Sequence, residues 1–249
     1  MSLTSQQIVD NWTQLLSIIE NTFNGERKEK LTELYLHFED RFPITPASGK
    51  TYYHGAYPGG LVEHLLNVIN YSLQLYNMWI SNDNTPNFTK EELIFSALNH
   101  DLGKIGDLDE PYFVEHNEKW RKERGEIFIH NDAIRWMDVA DRSLWLLQHF
   151  GVTYNQTEML AIMLHDGLYD DANKSYLISW TEGKQLRDNL PILLHQADMM
   201  ATMLERDEYR TTKQKKSITQ LNKDVTKSKK LKSQVAVNIA SDFFKQDGE

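Results

Sequence analysis

Cysteine is absent from the 249 residues, which excludes disulfide staples, thiolate zinc sites and a cysteine nucleophile. Any metal must therefore be held by nitrogen and oxygen. The same absence fits a reducing, cytoplasmic setting. No apolar run approaches the length of a membrane span, and the opening MSLTSQQIVDNWTQLL lacks a basic region followed by an uninterrupted apolar stretch. These features predict a soluble protein with no membrane partner. A cationic excess is missing as well. The formal net charge of −9 argues against a general nucleic-acid coat, while leaving room for a small anionic substrate where cations gather locally. Alternating stretches that would suit a half-buried strand are few, so the chain is expected to be all-α.

What is present is helical periodicity. Residues 5–22 and 27–42 read as two helices, the second stopped before Pro43. The segment ITPASGKTYYHGAYPGG then breaks the pattern with proline, glycine and aromatics. Its SGKT resembles part of a phosphate loop, but the earlier glycine of that motif is missing and no strand precedes it. A strong helix is expected from Leu61 to Ile80, with Leu65, Val68, Ile69, Leu73 and Tyr76 on one stripe. Another runs from Thr89 or Lys90 to Gly103, opened by the capping box TKEE. The polar and aromatic PYFVEHNEKWRKERGEIFIHND reads as an ordered excursion over a site. Helices resume near 141–150, 156–166 and 189–207. From Arg210 to Lys232 there are nine Lys or Arg against one acid, Asp224, so this piece carries +8 and the rest −17. It reads as a basic C-terminal helix or tail, 210–249, appended to a single domain, 1–209.

Three of the nine histidines interrupt apolar faces: His64 in GGLVEHLLNVI, His100 in ALNHDLGK and His165 in AIMLHDGLYD. One buried imidazole can satisfy itself on a backbone carbonyl. Asp101 and Asp198 are harder to accommodate, because a lone buried carboxylate costs several kcal/mol unless it is paired or bound to a cation. A shared metal would satisfy all of these groups at once. Two imidazole nitrogens and two carboxylate oxygens would also leave positions open for water and substrate. His37, His116, His149 and His195 are better explained as surface or hydrogen-bonded residues.

GGLVEH, HDLGK 36 residues later and the Asp of HQAD together resemble the H…HD…D pattern of the HD-domain metal-dependent phosphohydrolase superfamily. AYPGGLVEH, DRSLWLL and ILLHQADMMA are further similar to HD proteins encoded by bacteriophages and to the HD half of certain 3′-to-5′ exoribonucleases. The resemblance covers about residues 50–207 and implies an all-α bundle. It implies metal ligation by His64, His100, Asp101 and Asp198 of one divalent ion, which ligand chemistry leaves as Mn, Co, Fe, Ni, Zn or Mg. Relatives with two metals use added histidines, for which His130 and His165 are the candidates here. With one ion, His165 would contact phosphate or stabilise the transition state, together with Asp166.

In such a site the remaining work is to neutralise phosphate and protonate the leaving oxygen. Lys104, one turn beyond Asp101, is the first phosphate contact expected, with Arg142 and Lys174 as further contacts. Glu63, Asp107 and Asp109 are candidates for orientation or acid–base work. Tyr52, Tyr53, Tyr57, Tyr112, Phe113 and Trp120 flank the site in sequence and offer faces for a base. The resemblance implies a nucleotide substrate, a deoxynucleoside mono- or triphosphate foremost. Two alternatives stand beside it. One is a 3′-to-5′ exonuclease or phosphodiesterase that engages nucleic acid through the basic tail. The other is a metal-stabilised nucleotide-binding module without catalysis.

Overall fold

The computed structural model describes residues 2–82, 85–186 and 188–227, with the side chains of Tyr209 and of 212–227 left out. Residues 1–207 form one compact unit. It is built from helices joined by short irregular segments. In chain order these are α1 (Ser5–Thr22), α2 (Gly25–His37), α3 (Gly60–Ser81), α4 (Lys90–Asn99), α5 (Lys119–Glu123), α6 (Val139–His149), α7 (Gln156–Met163), α8 (Lys174–Leu177) and α9 (Leu190–Lys227). Three of them open with reciprocal caps: Thr4 with Gln7, Thr89 with Glu92, and Asn155 with Glu158. Among the described residues no helix is long and apolar enough to cross a membrane.

α3 packs against α1 and α4, α4 packs against α7, and α6 lies on α7 and on the turn that follows α4. Their shared core takes Leu61, Leu65 and Val68 from α3, Leu93 and Ala97 from α4, and Ala161 and Ile162 from α7. Leu193, Leu194, Ala197 and Ala201 of α9 belong to the same cluster. Truncating one of the buried leucines to Ala would cost about 2–5 kcal/mol. The buried polar residues His64, His100 and Asp101 are therefore set among the helices of this core.

Three departures from the expected helices shape the site. The second helix ends at His37 rather than 42, and the chain folds back through a 3₁₀ turn at Phe42–Ile44 so that Phe42 stacks on Tyr35 with centroids 4.7 Å apart. α4 stops at Asn99 instead of reaching Gly103: Asp101 adopts φ −104°, ψ 10°, and a 3₁₀ turn runs over Leu102–Ile105. Gly103 is needed there, because a Cβ would strike the Val139 carbonyl oxygen. The excursion after it carries a small antiparallel hairpin, β1 (Phe113–Glu115) and β2 (Phe128–His130), with Val114 opposite Ile129. Of the basic segment from Arg210, the backbone is helical to Lys227, and residues 228–249 lie outside the described part.

Candidate metal centre

Four elements deliver the polar side chains that the apolar faces could not explain. α3 brings His64, the turn after α4 brings His100 and Asp101, the end of α7 brings His165, and α9 brings Asp198. His64, His100, Asp101 and His165 are all at most 3 % exposed. His64 Nε2 stands 3.2 Å from Asp198 Oδ1 and 3.5 Å from Asp101 Oδ2. His100 Nε2 is 3.5 Å from the same Asp101 oxygen and 4.0 Å from the same Asp198 oxygen. His165 Nε2 lies 3.7 Å from Asp101 Oδ1.

The shortest of these separations matches a shared cation, and the others exceed the ligand spacing by a few tenths of an ångström. Ligands at about 2.1 Å from a common ion stand about 3.0–3.4 Å apart in octahedral or tetrahedral arrangement. More telling is what the nitrogens do not do. His64 Nε2 and His100 Nε2 are sealed from solvent, yet neither makes a hydrogen bond of acceptable geometry, although carboxylate oxygens are close. The opposite ring nitrogens are committed: His100 Nδ1 donates to the Ala97 carbonyl at 2.8 Å, and His165 Nδ1 donates to the Ile162 carbonyl at 2.8 Å. For a neutral ring such as His100 that leaves the Nε2 lone pair facing the site, as ligation requires. The buried cluster of His64, His100, Asp101, His165 and Asp198 can hold a metal ion.

Electrostatics agree in direction. Burial, reinforced by neighbouring His165, keeps His100 neutral and lowers it to about 4 against the pull of Asp101. Burial works against the Asp101 charge, but Lys104 and the histidines outweigh it and hold the carboxyl well below the usual range. Asp198 is likewise held down, burial being overcome by His64 and His100. His64 behaves differently. Burial disfavours its charge, yet Glu205 and Asp198 prevail and raise it to about 10.

Around the cluster lies a cavity of about 620 Å³. Lys104, His165 and Asp166 line it, as does Tyr53 together with Tyr112 and Phe113. Lys104 Nζ donates to Asp101 Oδ2 at 2.5 Å, which places the ammonium beside the doublet as its spacing suggests. Asp166 Oδ2 is 3.6 Å from His165 Nε2. Several expected residues, Asp107 and Asp109 among them, are not brought to this cavity. Glu63 accepts a hydrogen bond from the Tyr57 hydroxyl at 2.5 Å, and both stand outside the lining, because successive helix positions point about 100° apart. Lys174 is half exposed on the surface and pairs with Asp171 at 2.7 Å. Arg142 is buried outside this lining, where its Nη2 donates to the Arg135 carbonyl at 2.7 Å. Among the aromatics, Tyr52 and Trp120 are surface residues away from the walls.

Several site residues were not anticipated. Glu205, two turns after Asp198 on α9, approaches His64 Nδ1 at 3.2 Å and is steadied by Asn67 Nδ2 at 2.8 Å. His195 enters the wall, its Nδ1 donating to the His165 carbonyl at 2.8 Å, and its ring covers Gly167. Arg206 also faces the cavity. Its Nε is buried without a hydrogen-bond partner, Nη2 meets only the Met203 sulfur at 2.8 Å, and among the described residues no carboxylate pairs with it. The signal for all three was their spacing about Asp198: three residues before, seven after and eight after, which is one helix face. His54 and His130, each with a buried Nε2 lacking a partner, complete a ring of imidazoles; His54 sits 4.6 Å from His64 and is pushed down to about 3 by burial and by that neighbour. No protein-family model, curated protein or solved structure matches this chain, so the functional reading rests on these side chains.

Proposed function

We propose that the chain is a metal-dependent phosphohydrolase of the HD-superfamily type, acting on nucleotides, with a deoxynucleoside mono- or triphosphate as the leading substrate. The observation that carries this reading is the pair of sealed, unpartnered imidazole nitrogens of His64 and His100 facing the carboxylates of Asp101 and Asp198. His64, His100, Asp101 and Asp198 would hold one divalent cation, with His165 beside it. Bound there, a divalent cation supplies Lewis acidity, activating water as a nucleophile near neutral pH and withdrawing charge from a phosphoryl oxygen.

The protein's own groups do the rest. Glu205 accepts from His64 Nδ1 and so turns Nε2 inward. Lys104 and Arg206 are the two cations of the cavity wall placed to meet phosphate oxygens, and the guanidinium fork of Arg206 suits two of them at once. Burial opposes charge on His165, but Asp166 and Asp101 outweigh it and raise its pKa, so the imidazole can hold a proton for the leaving oxygen. Tyr53, Tyr112 and Phe113 offer flat faces to a base, and Met199 and Met203 extend that apolar wall.

The test is a screen of nucleotides and deoxynucleotides against Mn, Co, Fe, Ni, Zn and Mg, resolving orthophosphate, pyrophosphate and triphosphate among the products. Metal-dependent release is expected from the wild type and its abolition from His100→Ala and Asp101→Ala. Turnover that persisted in both variants would overturn the reading. A preference for oligonucleotides that disappears on removing residues 210–249 would replace it with exonuclease activity. Metal binding without any turnover would leave a binding module.

A further inference from the structure

The residue that the sequence assigned to the phosphohydrolase cavity and the fold removed from it, Arg142, has a setting of its own. It is 2 % exposed and heads the largest fully buried side chains of the molecule. Its Nε is buried and has no hydrogen-bond partner, and Nη2 spends one hydrogen on the Arg135 carbonyl. Among the described residues no carboxylate lies within ion-pair distance of it. The nearest electrostatic support comes from the Tyr112 ring, whose centroid is 5.8 Å from Cζ, and from Asp107 at longer range. Asp107 lines the same cleft and acts on Arg142 without coming within ion-pair distance, its Oδ1 accepting from the backbone amides of Asp109 and Glu110. A guanidinium cannot shed its charge as a lysine can, so burying one without a counter-charge is costly unless an anion supplies it.

Arg142 lines a cleft of about 650 Å³ that shares no lining residue with the metal-centre cavity. Arg135 stands at its exposed rim, Ile134, Met137 and Trp145 give it an apolar side, and Asp132 points fully into solvent. We infer that this cleft is a binding site for a phosphate dianion, free or as the terminal group of a small phosphomonoester. The unpartnered Nε face of Arg142 grips two oxygens from below, and Arg135 closes from the rim. Two guanidiniums match a doubly charged oxyanion better than a carboxylate. The apolar side would receive the organic part of a phosphomonoester.

The site's position makes it separable from the proposed activity. The test uses the full chain with a chelator present, so that the metal centre contributes nothing. Inorganic phosphate and glucose 6-phosphate are titrated at matched ionic strength, with acetate as the carboxylate control. Binding is followed by calorimetry and by the indole N–H resonance of Trp145, assigned with Trp145→Phe. Wild type and Lys104→Gln, which removes a cation of the metal cavity, should bind phosphate equally and bind acetate at least tenfold more weakly, with the Trp145 signal shifting in both. Arg142→Gln should abolish binding. Arg135→Ala, at an exposed position that leaves the fold intact, should weaken it about tenfold, which keeps the proposal exposed even if Arg142→Gln fails to fold. Tighter binding of glucose 6-phosphate would identify a phosphomonoester ligand, and equal binding would identify free phosphate; either supports the site. Phosphate binding that survives Arg135→Ala and Arg142→Gln unchanged, or that is lost in Lys104→Gln, would overturn it. A Lys104→Gln loss would also place the phosphate in the metal cavity, leaving the phosphohydrolase reading untouched.

Discussion

Two buried ionic clusters lie on opposite ends of α7, and they differ in one respect. Near its start, Arg27 of α2 reaches Glu158 at 2.6 Å and Glu91 at 3.1 Å, lies 4.0 Å over the Phe95 ring, and Glu158 also caps the helix through Asn155. Apart from Arg27 Nε, its polar atoms find partners among themselves. Near the end of α7, His165 joins a more deeply buried cluster that is as rich in charge, and there the ligand-type nitrogens of His64 and His100 are left without a partner. Charge is thus common to both. What separates a structural ion cluster from a candidate metal centre is the kind of atom left unsatisfied: a donor N–H of Arg27 in the first, nitrogens able to ligate in the second.

That contrast can be broken by exchange. Glu158→Ala removes the partner of a mostly buried guanidinium and should cost about 3 kcal/mol of unfolding free energy in a denaturant titration. Metal affinity should stay within about twofold; a large loss would erase the distinction between the clusters. His100→Ala and Asp101→Asn should do the reverse. Each should lower divalent-metal affinity at least about a hundredfold, and each should abolish the upward shift in Tm that added metal gives the wild type, about 2.7 kcal/mol at a hundred times Kd. Glu205→Gln keeps the size of the side chain but loses its charge behind His64. A loss of about tenfold to a hundredfold in metal affinity, with unfolding free energy little changed, is expected from calorimetry.

The smallest effect sharpens the contrast through pH. Without metal, His64 is raised from 6.5 to about 10, so its charge contributes stability fully present below 6.5 and lost as pH rises through about 10. Metal binding runs the opposite way, because a ligating nitrogen must release its proton. Apparent affinity should rise about tenfold per unit between about pH 6 and 8, read from calorimetry with proton release measured in buffers of different ionisation enthalpy. A flat profile would mean that His64 does not ligate.

Much of this was legible in the chain. Apolar spacing located α1 at 5–22 and the long α3, and the same spacing exposed His64, His100, Asp101, His165 and Asp198 as intrusions. Side-chain direction was harder to read. The expected helix through Asp101 would have splayed His100 and Asp101 apart, whereas the turn at Asn99–Ile105 points both inward, and that turn depends on contact with α6. Arg142 went astray for a similar reason: proximity of its segment to the site said nothing about which cavity its side chain lines. Glu205 was missed because a charged residue on a late helix reads as solvated until its partners 138 or more positions earlier, Asn67 and His64, are known.

Gly167 carries a consequence of its own. With φ at +57° and no room for a methyl group beneath the His195 imidazole, it lets two histidines share one backbone corner, His195 hanging from the carbonyl of His165. The cavity floor is therefore held by something that is not a side chain at all. An alanine there would evict the ring above it, and a survey of tolerated substitutions would find this position among the least forgiving in the chain while every chemically active group remained in the sequence.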